Sequence, residues 1–197
     1  MIKAVGIAGS PRLKGNSATL LEAVLRGAAS AGAETETVHL NDLALRGCQA
    51  CARCAPREEC ILKDDLTPVF ARLCQADLWV LASPIYYDGV TGQMKTFFDR
   101  CRWLTMAGDR LKPRLAGARR AAVIVTYEDK PRDDYRHEAE KLASYLAWMG
   151  DFGDVTIISE GRLGPADAAA ARPDLLARAE QLGRGLAESL RPGAGEG

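Results

Sequence analysis

Four closely spaced cysteines are the residues of this chain with the most specific chemistry. Cys48, Cys51, Cys54 and Cys60 have two, two and five residues between successive thiols. Four thiolates from one short loop can surround an iron–sulfur cubane, because each two-residue gap lets the backbone curl and turn its N–H groups toward the sulfurs. The spacing therefore favours a [4Fe–4S] cluster.

Three rivals to a cluster differ in strength. Zinc usually takes two cysteine pairs that are separated by a longer stretch, whereas the first three thiols here are equally spaced. Disulfides need an oxidising compartment, and the amino terminus, MIKAVGIAGS, has the pattern of a first strand rather than of an export signal. The serious rival is a loop that holds no cluster, in which the cysteines are small apolar residues.

A polar loop after the first predicted strand has the composition of a phosphate site. Residues 9–17 read Gly-Ser-Pro-Arg-Leu-Lys-Gly-Asn-Ser, and helical periodicity follows directly. Backbone N–H groups at a helix amino end carry partial positive charge and suit a phosphate, which Arg12 can neutralise. The loop lacks the nucleoside-triphosphate and dinucleotide fingerprints, so a monophosphate ester fits better. The alternative is that Asn16 or Ser17 only caps the helix.

A second loop, after the third predicted strand, has the composition of a flavin platform. Residues 83–89 read Ser-Pro-Ile-Tyr-Tyr-Asp-Gly, which places two tyrosines just beyond a buried strand. Ligands of open α/β sheets bind at this edge, and a planar isoalloxazine ring needs an aromatic or apolar shelf with backbone polar groups. For either tyrosine alone, an ordinary half-buried aromatic is an equal interpretation.

With these two loops the chain resembles the NADPH-dependent FMN reductase family, whose members have a Gly-Ser-x-Arg loop ending in Asn-Ser or Asn-Thr and a later Ser-Pro-x-Tyr stretch. The resemblance covers residues 1–160 and implies a flavodoxin-like fold that binds FMN. The FMN contacts that it implies are Ser10, Arg12, Asn16 and Ser17 at the phosphate, Pro84, Ile85, Tyr86, Tyr87 and Gly89 at the ring, and Thr126 and Tyr127 after the fourth strand.

The cysteine spacing is similar to that of iron–sulfur flavoproteins, a subgroup of this family that holds a [4Fe–4S] cluster beside FMN. The resemblance implies an FMN-dependent oxidoreductase of the NAD(P)H-dependent type that exchanges electrons between flavin and cluster. Two alternatives remain: a cluster-free NAD(P)H-dependent reductase of FMN or quinone, and a flavodoxin-like electron carrier without enzymatic activity. The equal numbers of acidic and basic residues weigh against the carrier, because such carriers are typically strongly acidic.

Alternating strands and helices must position these loops. Strand-like runs occupy residues 3–8, 34–40, 78–83, 121–126 and 155–159, and helical spacing occupies residues 17–31, 66–75, 92–106, 134–149 and 173–190. This alternation predicts a doubly wound, five-stranded parallel sheet with helices on both faces. The expected strand order is the flavodoxin-like 2-1-3-4-5, which brings all three loops to one sheet edge.

The bulk composition predicts one soluble, cytoplasmic domain over residues 1–190, with a cysteine-rich loop at 47–62 and a disordered tail at 191–197. Lys plus Arg and Asp plus Glu number 26 each, so no net field attracts nucleic acid or an anionic membrane. Expected partners are a small-molecule or protein electron donor and acceptor, with NAD(P)H as a possible donor. The family resemblance and the apolar residues of segment 92–106 also predict a homodimer or homotetramer.

Overall fold

Strands and helices alternate along the computed structural model, which describes residues 1–107 and 110–191. The strands are β1 (Lys3–Ala8), β2 (Glu34–His39), β3 (Leu78–Tyr86), β4 (Gly89–Val90), β5 (Met106–Ala107), β6 (Arg110–Leu111), β7 (Leu115–Ala118), β8 (Arg120–Thr126), β9 (Gly150–Asp151) and β10 (Thr156–Glu160). The helices are α1 (Asn16–Ser30), α2 (Cys54–Arg57), α3 (Leu66–Gln75), α4 (Gly92–Arg100), α5 (Arg136–Ala147) and α6 (Pro173–Glu188).

Five parallel strands form the central sheet in the order β2-β1-β3-β8-β10. Counted along the chain, this order is 2-1-3-4-5, so the flavodoxin-like architecture is confirmed. A sixth, short strand was not predicted: β4 pairs antiparallel with the end of β3. Two residues are too few to give a periodic signal, and the same pairing carries β3 past its predicted end at residue 83 to Tyr86.

Helices cover both faces of the sheet and bury two apolar cores. One core contains residues of α1 and α6, and the other contains residues of α3, α4 and α5. Glycines allow α1 and α6 to touch: a Cβ atom on Gly27 would lie 1.9 Å from the carbonyl oxygen of Glu180, and one on Gly183 would lie 1.8 Å from that of Val24. A larger residue at either glycine would separate the two helices.

The predicted helix at residues 92–106 is shorter in the structure. It ends at Arg100, and a 3₁₀ helix follows over Cys101–Leu104. The predicted tail at 191–197 lies outside the described residues except for Arg191, whose Nη2 donates to the carbonyl oxygen of Ala31 at 2.5 Å. Among the helices that the structure describes, none is long and apolar enough to cross a membrane.

Candidate functional site

A cleft of about 290 Å³ opens at the carboxyl edge of the sheet, among the ends of β1, β3, β8 and β10. The sequence-predicted residues that line it are Ser10, Arg12, Asn16, Ser17, Pro84, Ile85, Tyr86, Thr126 and Tyr127. Two predicted ring contacts, Tyr87 and Gly89, do not line it. The structure therefore brings the phosphate loop and the start of the flavin loop to one place, as parallel strands require.

The amino end of α1 has the properties of a phosphate site. Its N-cap, Gly15, makes no side-chain capping bond, and its first turn contains no acidic residue. The Ser17 hydroxyl is buried and has no hydrogen-bond partner in the described part of the chain, a situation that costs about 1–3 kcal/mol. Exposed Arg12 lies on the same cleft. Because a phosphate ester would satisfy all of these groups, the residues present fit the phosphate of FMN.

The side chain of Asn16 is held by segment 163–169. Its Nδ2 donates to the carbonyl oxygens of Leu163 and Pro165, at 2.9 and 2.8 Å, and its Oδ1 accepts the N–H of Ala169 at 2.8 Å. Both amide hydrogens are therefore used, and only the backbone N–H of Asn16 remains for a phosphate. The side chain fastens segment 163–169 to the phosphate loop.

Thr91 joins the phosphate loop to the flavin loop beneath the cleft. Its Oγ1 donates to the carbonyl oxygen of Gly9 at 2.7 Å, and its N–H donates to Oγ of Ser83 at 3.1 Å. The same Oγ1 accepts the N–H of Met94 and so caps α4. These bonds are buried, so the relative position of the two loops is fixed by the fold itself.

A tight hairpin carries the aromatic residues. Tyr86 pairs with Gly89, and between them Tyr87 and Asp88 have φ angles of +49° and +60°, as in a type I′ turn. The phenol of Tyr135 donates a hydrogen bond to the Asp88 carboxylate. This bond, together with partial desolvation, raises the pKa of Tyr135 to about 12. The turn leaves the Tyr87 ring fully exposed, which explains its absence from the cleft.

The four cysteines line a second cavity, near the other end of α4. Burial raises the pKa of the Cys54 thiol; the nearby Cys60 and Cys48 raise it further, while a backbone hydrogen bond and Arg102 lower it. The cavity measures only about 20 Å³, enough for one water molecule. No three His, Cys, Asp or Glu side chains in residues 1–107 and 110–191 are arranged to hold a metal ion. The loop must therefore widen to accept a cluster.

The backbone of the cysteine loop suits an anionic occupant. Residues 44–52 have no regular secondary structure, and Ala52 and Glu58 have left-handed φ angles of +55° and +59°. Each lies next to a right-handed residue: Arg53 follows Ala52, and the last residue of α2 precedes Glu58. Such alternation turns successive N–H groups to one side, an arrangement found at phosphate and iron–sulfur sites.

Arg100 binds both ends of the cysteine loop. Its side chain is only 1% exposed, and its Nη1 and Nη2 donate to the carbonyl oxygens of Arg46 and Leu62 at 2.7 and 3.3 Å. The same nitrogens bind the Asp64 carboxylate at 2.5 and 3.1 Å. Burial lowers the pKa of Arg100, but the hydrogen bond to Asp64 and the nearby Cys60 outweigh it, so the pKa is raised.

Two N–H donors beside the cysteines have no partner. Arg100 and Trp103 both line the cysteine cavity, and their Nε and Nε1 atoms are buried without a hydrogen bond in the described structure. Buried donors are nearly always paired. The sulfur atoms of a cluster are acceptors that would pair with them. By donor chemistry, the four thiols and these two N–H groups therefore fit an iron–sulfur cluster.

Several residues of the two sites were not identified from the sequence: Gly15, Glu128, Leu163 and Gly164 at the cleft, and Arg100 and Trp103 at the cysteine cavity. Arg100 had a detectable signal, because it lies three residues after Phe97, at the edge of the apolar stripe of α4. Leu163 had no such signal, because no local sequence pattern predicts a hydrogen bond between residues 147 positions apart.

Comparison with known proteins gives this geometry a context. The sequence profile of a family described as NADPH-dependent FMN reductase matches residues 2–136, which include both loops and the four cysteines. An iron–sulfur flavoprotein from Archaeoglobus fulgidus is 33% identical over 194 residues, covering 96% of this chain and 80% of that protein. An iron–sulfur flavoprotein from Methanocaldococcus jannaschii is 37% identical over 117 residues, covering 59% of this chain and 60% of that protein.

Among solved structures, the chain is similar to an NAD(P)H:quinone oxidoreductase from Methanothermobacter marburgensis, with a TM-score of 0.69 and 23% identity. The match covers 94% of this chain and 96% of that one. At this level of identity the likeness establishes the shared fold.

Proposed function

This chain belongs to the NADPH-dependent FMN reductase family, and from that premise we propose that it passes electrons between FMN, bound in the sheet-edge cleft, and a [4Fe–4S] cluster held by Cys48, Cys51, Cys54 and Cys60. When bound, FMN exchanges hydride with a nicotinamide and single electrons with a metal centre, so the pair would connect two-electron and one-electron chemistry. NAD(P)H is the proposed donor class.

One observation carries this proposal: the two sites lie at the two ends of α4. The helix begins at its cap Thr91, which hydrogen-bonds both loops of the cleft, and it ends at Arg100, which lines the cysteine cavity. A helix of nine residues is roughly 13 Å long at about 1.5 Å per residue. The fold thus supplies a short, rigid connection between a flavin site and a thiol cluster.

Binding and orientation of FMN are assigned to specific groups. The Ser17 hydroxyl, the Arg12 guanidinium and the first N–H groups of α1 hold the phosphate. Pro84, Ile85 and Tyr86 form the shelf for the ring. Thr126, at the end of β8, closes the wall beside them. We assign no acid–base side chain, because hydride and electron transfer to a flavin depend on position and ring environment.

Assembly as a homodimer or homotetramer is part of the proposal, but the apolar residues of segment 92–106 are not what supports it. Phe97 and Phe98 are buried in the core, so the apolar content of segment 92–106 serves internal packing. Exposed Leu111 and Trp148 lie away from the cleft, whereas exposed Leu13, Tyr86 and Tyr87 lie on the two loops that border it. A second subunit covering them would shield the flavin from water. Sedimentation showing a monomer at micromolar concentration would contradict this part.

Anaerobic purification and reconstitution, followed by quantification of iron, sulfide and flavin, tests the proposal. We expect one FMN with about four iron and four sulfide per chain, the composition of a cubane. A reconstituted protein that holds FMN but no iron would instead be the cluster-free reductase, an outcome that the small cysteine cavity makes worth testing directly. Steady-state NAD(P)H oxidation with an added acceptor then separates an enzyme from a passive carrier.

A further inference from the structure

Resting on the proposed cluster, we infer that Arg100 and Trp103 donate hydrogen bonds to its sulfur atoms and thereby set its reduction potential. The donors are the Nε–H of Arg100 and the Nε1–H of Trp103. Neither residue exchanges electrons itself; each acts through its hydrogen bond to the cluster.

The bonding of Arg100 shows which of its hydrogens is free. The four hydrogens on Nη1 and Nη2 are used by Arg46, Leu62 and Asp64. Only the Nε–H is left, and it is buried and unpaired. Because Arg100 binds one stem of the loop before Cys48 and the other after Cys60, the same side chain is fixed relative to the thiols.

Trp103 is held just as firmly by packing. Its ring lies edge-on to Phe70, with the ring centroids 5.7 Å apart, and its Nε1 atom is buried without a partner although the residue lines the cysteine cavity. An indole can only donate, so its requirement is for an acceptor. The described residues around the cavity provide no acceptor for it, whereas a cluster brings several sulfurs.

Hydrogen bonds to cluster sulfurs stabilise the reduced, more negative state and raise the reduction potential. Loss of a donor should therefore lower it. Entry of water in place of a side chain would act in the opposite direction, because solvent also stabilises the reduced state. The sign of the change thus separates a lost hydrogen bond from a cavity that has merely become wet.

The test is an anaerobic redox titration of the reconstituted protein and of Trp103→Phe and Arg100→Lys. Each variant should lower the equilibrium constant for one-electron reduction about tenfold, equivalent to about 59 mV. Lysine keeps a positive charge near Asp64 but lacks the Nε–H and cannot bridge Arg46 and Leu62, so partial loss of iron is also expected. If Arg100→Lys does not fold, Trp103→Phe alone decides the outcome.

Matched controls lie elsewhere in the chain. Arg119→Lys alters another buried arginine with an unpaired Nε, whose other nitrogens bind the carbonyl oxygens of Ala116 and Cys74. Trp148→Phe alters an indole that is 51% exposed. Both controls should keep the parent potential. An unchanged or raised potential in an iron-replete Trp103→Phe would overturn this inference alone, whereas a parent without iron would overturn the proposed cluster and this inference together.

Discussion

The sheet-edge cleft and the cysteine cavity share one helix but are built by different means. The cleft is formed where strands end and helices begin, and buried hydrogen bonds from Thr91 fix its loops to each other. Cys48 and Cys51 lie in a stretch without regular structure over residues 44–52, Cys54 begins α2 and Cys60 follows that helix; side chains from outside this segment hold it. Arg100 donates to the carbonyl oxygens of Arg46 and Leu62, on either side of the four cysteines. Arg114 binds the carbonyl oxygen of Ala55 at 2.8 Å and the carboxylate of Glu58 at 3.0 Å.

The two sites also differ in how much of the required space and how many of the binding groups are in place without a ligand. At the cleft, the space, the unpaired Ser17 hydroxyl and the uncapped helix end are present together. At the cysteine cavity, the donor atoms are present but the space is about 20 Å³. A ligand of the cleft therefore enters a formed site, whereas a cluster would have to organise its own loop.

The largest effect is expected from Cys54→Ala, made together with the control Cys74→Ala. Removal of one of four ligands from a loop that depends on its occupant should abolish nearly all iron binding, while FMN stays bound because the cleft shares no residue with the cavity. Iron and flavin analysis of anaerobically reconstituted protein measures both. Full iron in Cys54→Ala, or equal loss in Cys74→Ala, would contradict the assignment of ligands.

The converse change is the double variant Arg12→Ala and Ser17→Ala. Each lost hydrogen bond to a charged phosphate is worth about 1.5–3 kcal/mol, so the dissociation constant for FMN should rise about 100-fold or more. Iron content should not change. Flavin fluorescence titration gives the affinity, with Arg26→Ala as a control because that exposed arginine pairs with Glu180 away from the cleft. Parent-like affinity in the double variant would remove the phosphate site.

A smaller effect is expected from Asn16→Ala, which tests how the cleft is closed. The variant loses three hydrogen bonds to segment 163–169, two of them only partly buried and one exposed, so we expect about 1–2 kcal/mol less stability. Urea unfolding of the FMN-free protein measures it. Asn41→Ala is the control, since the Asn41 side chain accepts an exposed hydrogen bond from Gln93. A parent-like unfolding midpoint would show that the segment is held by other contacts.

The smallest effect is a pH dependence at the flavin hairpin. The pKa of Tyr135 is raised to about 12 in the folded protein, against about 10 for an unperturbed phenol. Its bond to Asp88 therefore contributes fully below about pH 10 and is lost as the pH rises through about 12. Phenolate absorbance should show a late-titrating component that is lost in Tyr135→Phe and kept in Tyr145→Phe. Titration of Tyr135 near pH 10 would refute the hydrogen bond.

The sequence predicted the sheet and the two loops because their signals are local. Apolar runs marked the five strands, and the residues that begin the phosphate and flavin loops lie within a few positions of a strand end. The sequence did not predict that Tyr87 lies outside the cleft, because two successive non-glycine residues with left-handed backbone angles cannot be inferred from composition. Arg100 and segment 163–169 make hydrogen bonds to residues that are distant in the sequence, so their roles depend on the packing of the folded chain.

The hydrogen bonds between Asn16 and segment 163–169 bear on when, during synthesis, the phosphate loop reaches its final structure. The phosphate loop leaves the ribosome about 150 residues before the segment that fastens it, and contacts of such separation form late because the intervening chain must first be in place. The family profile matches residues 2–136, which end before that segment. If the cleft holds FMN as proposed, tight loading of flavin is expected only after segment 163–169 has been translated, and a nascent protein halted near residue 160 should contain the residues matched by the family profile yet bind FMN weakly.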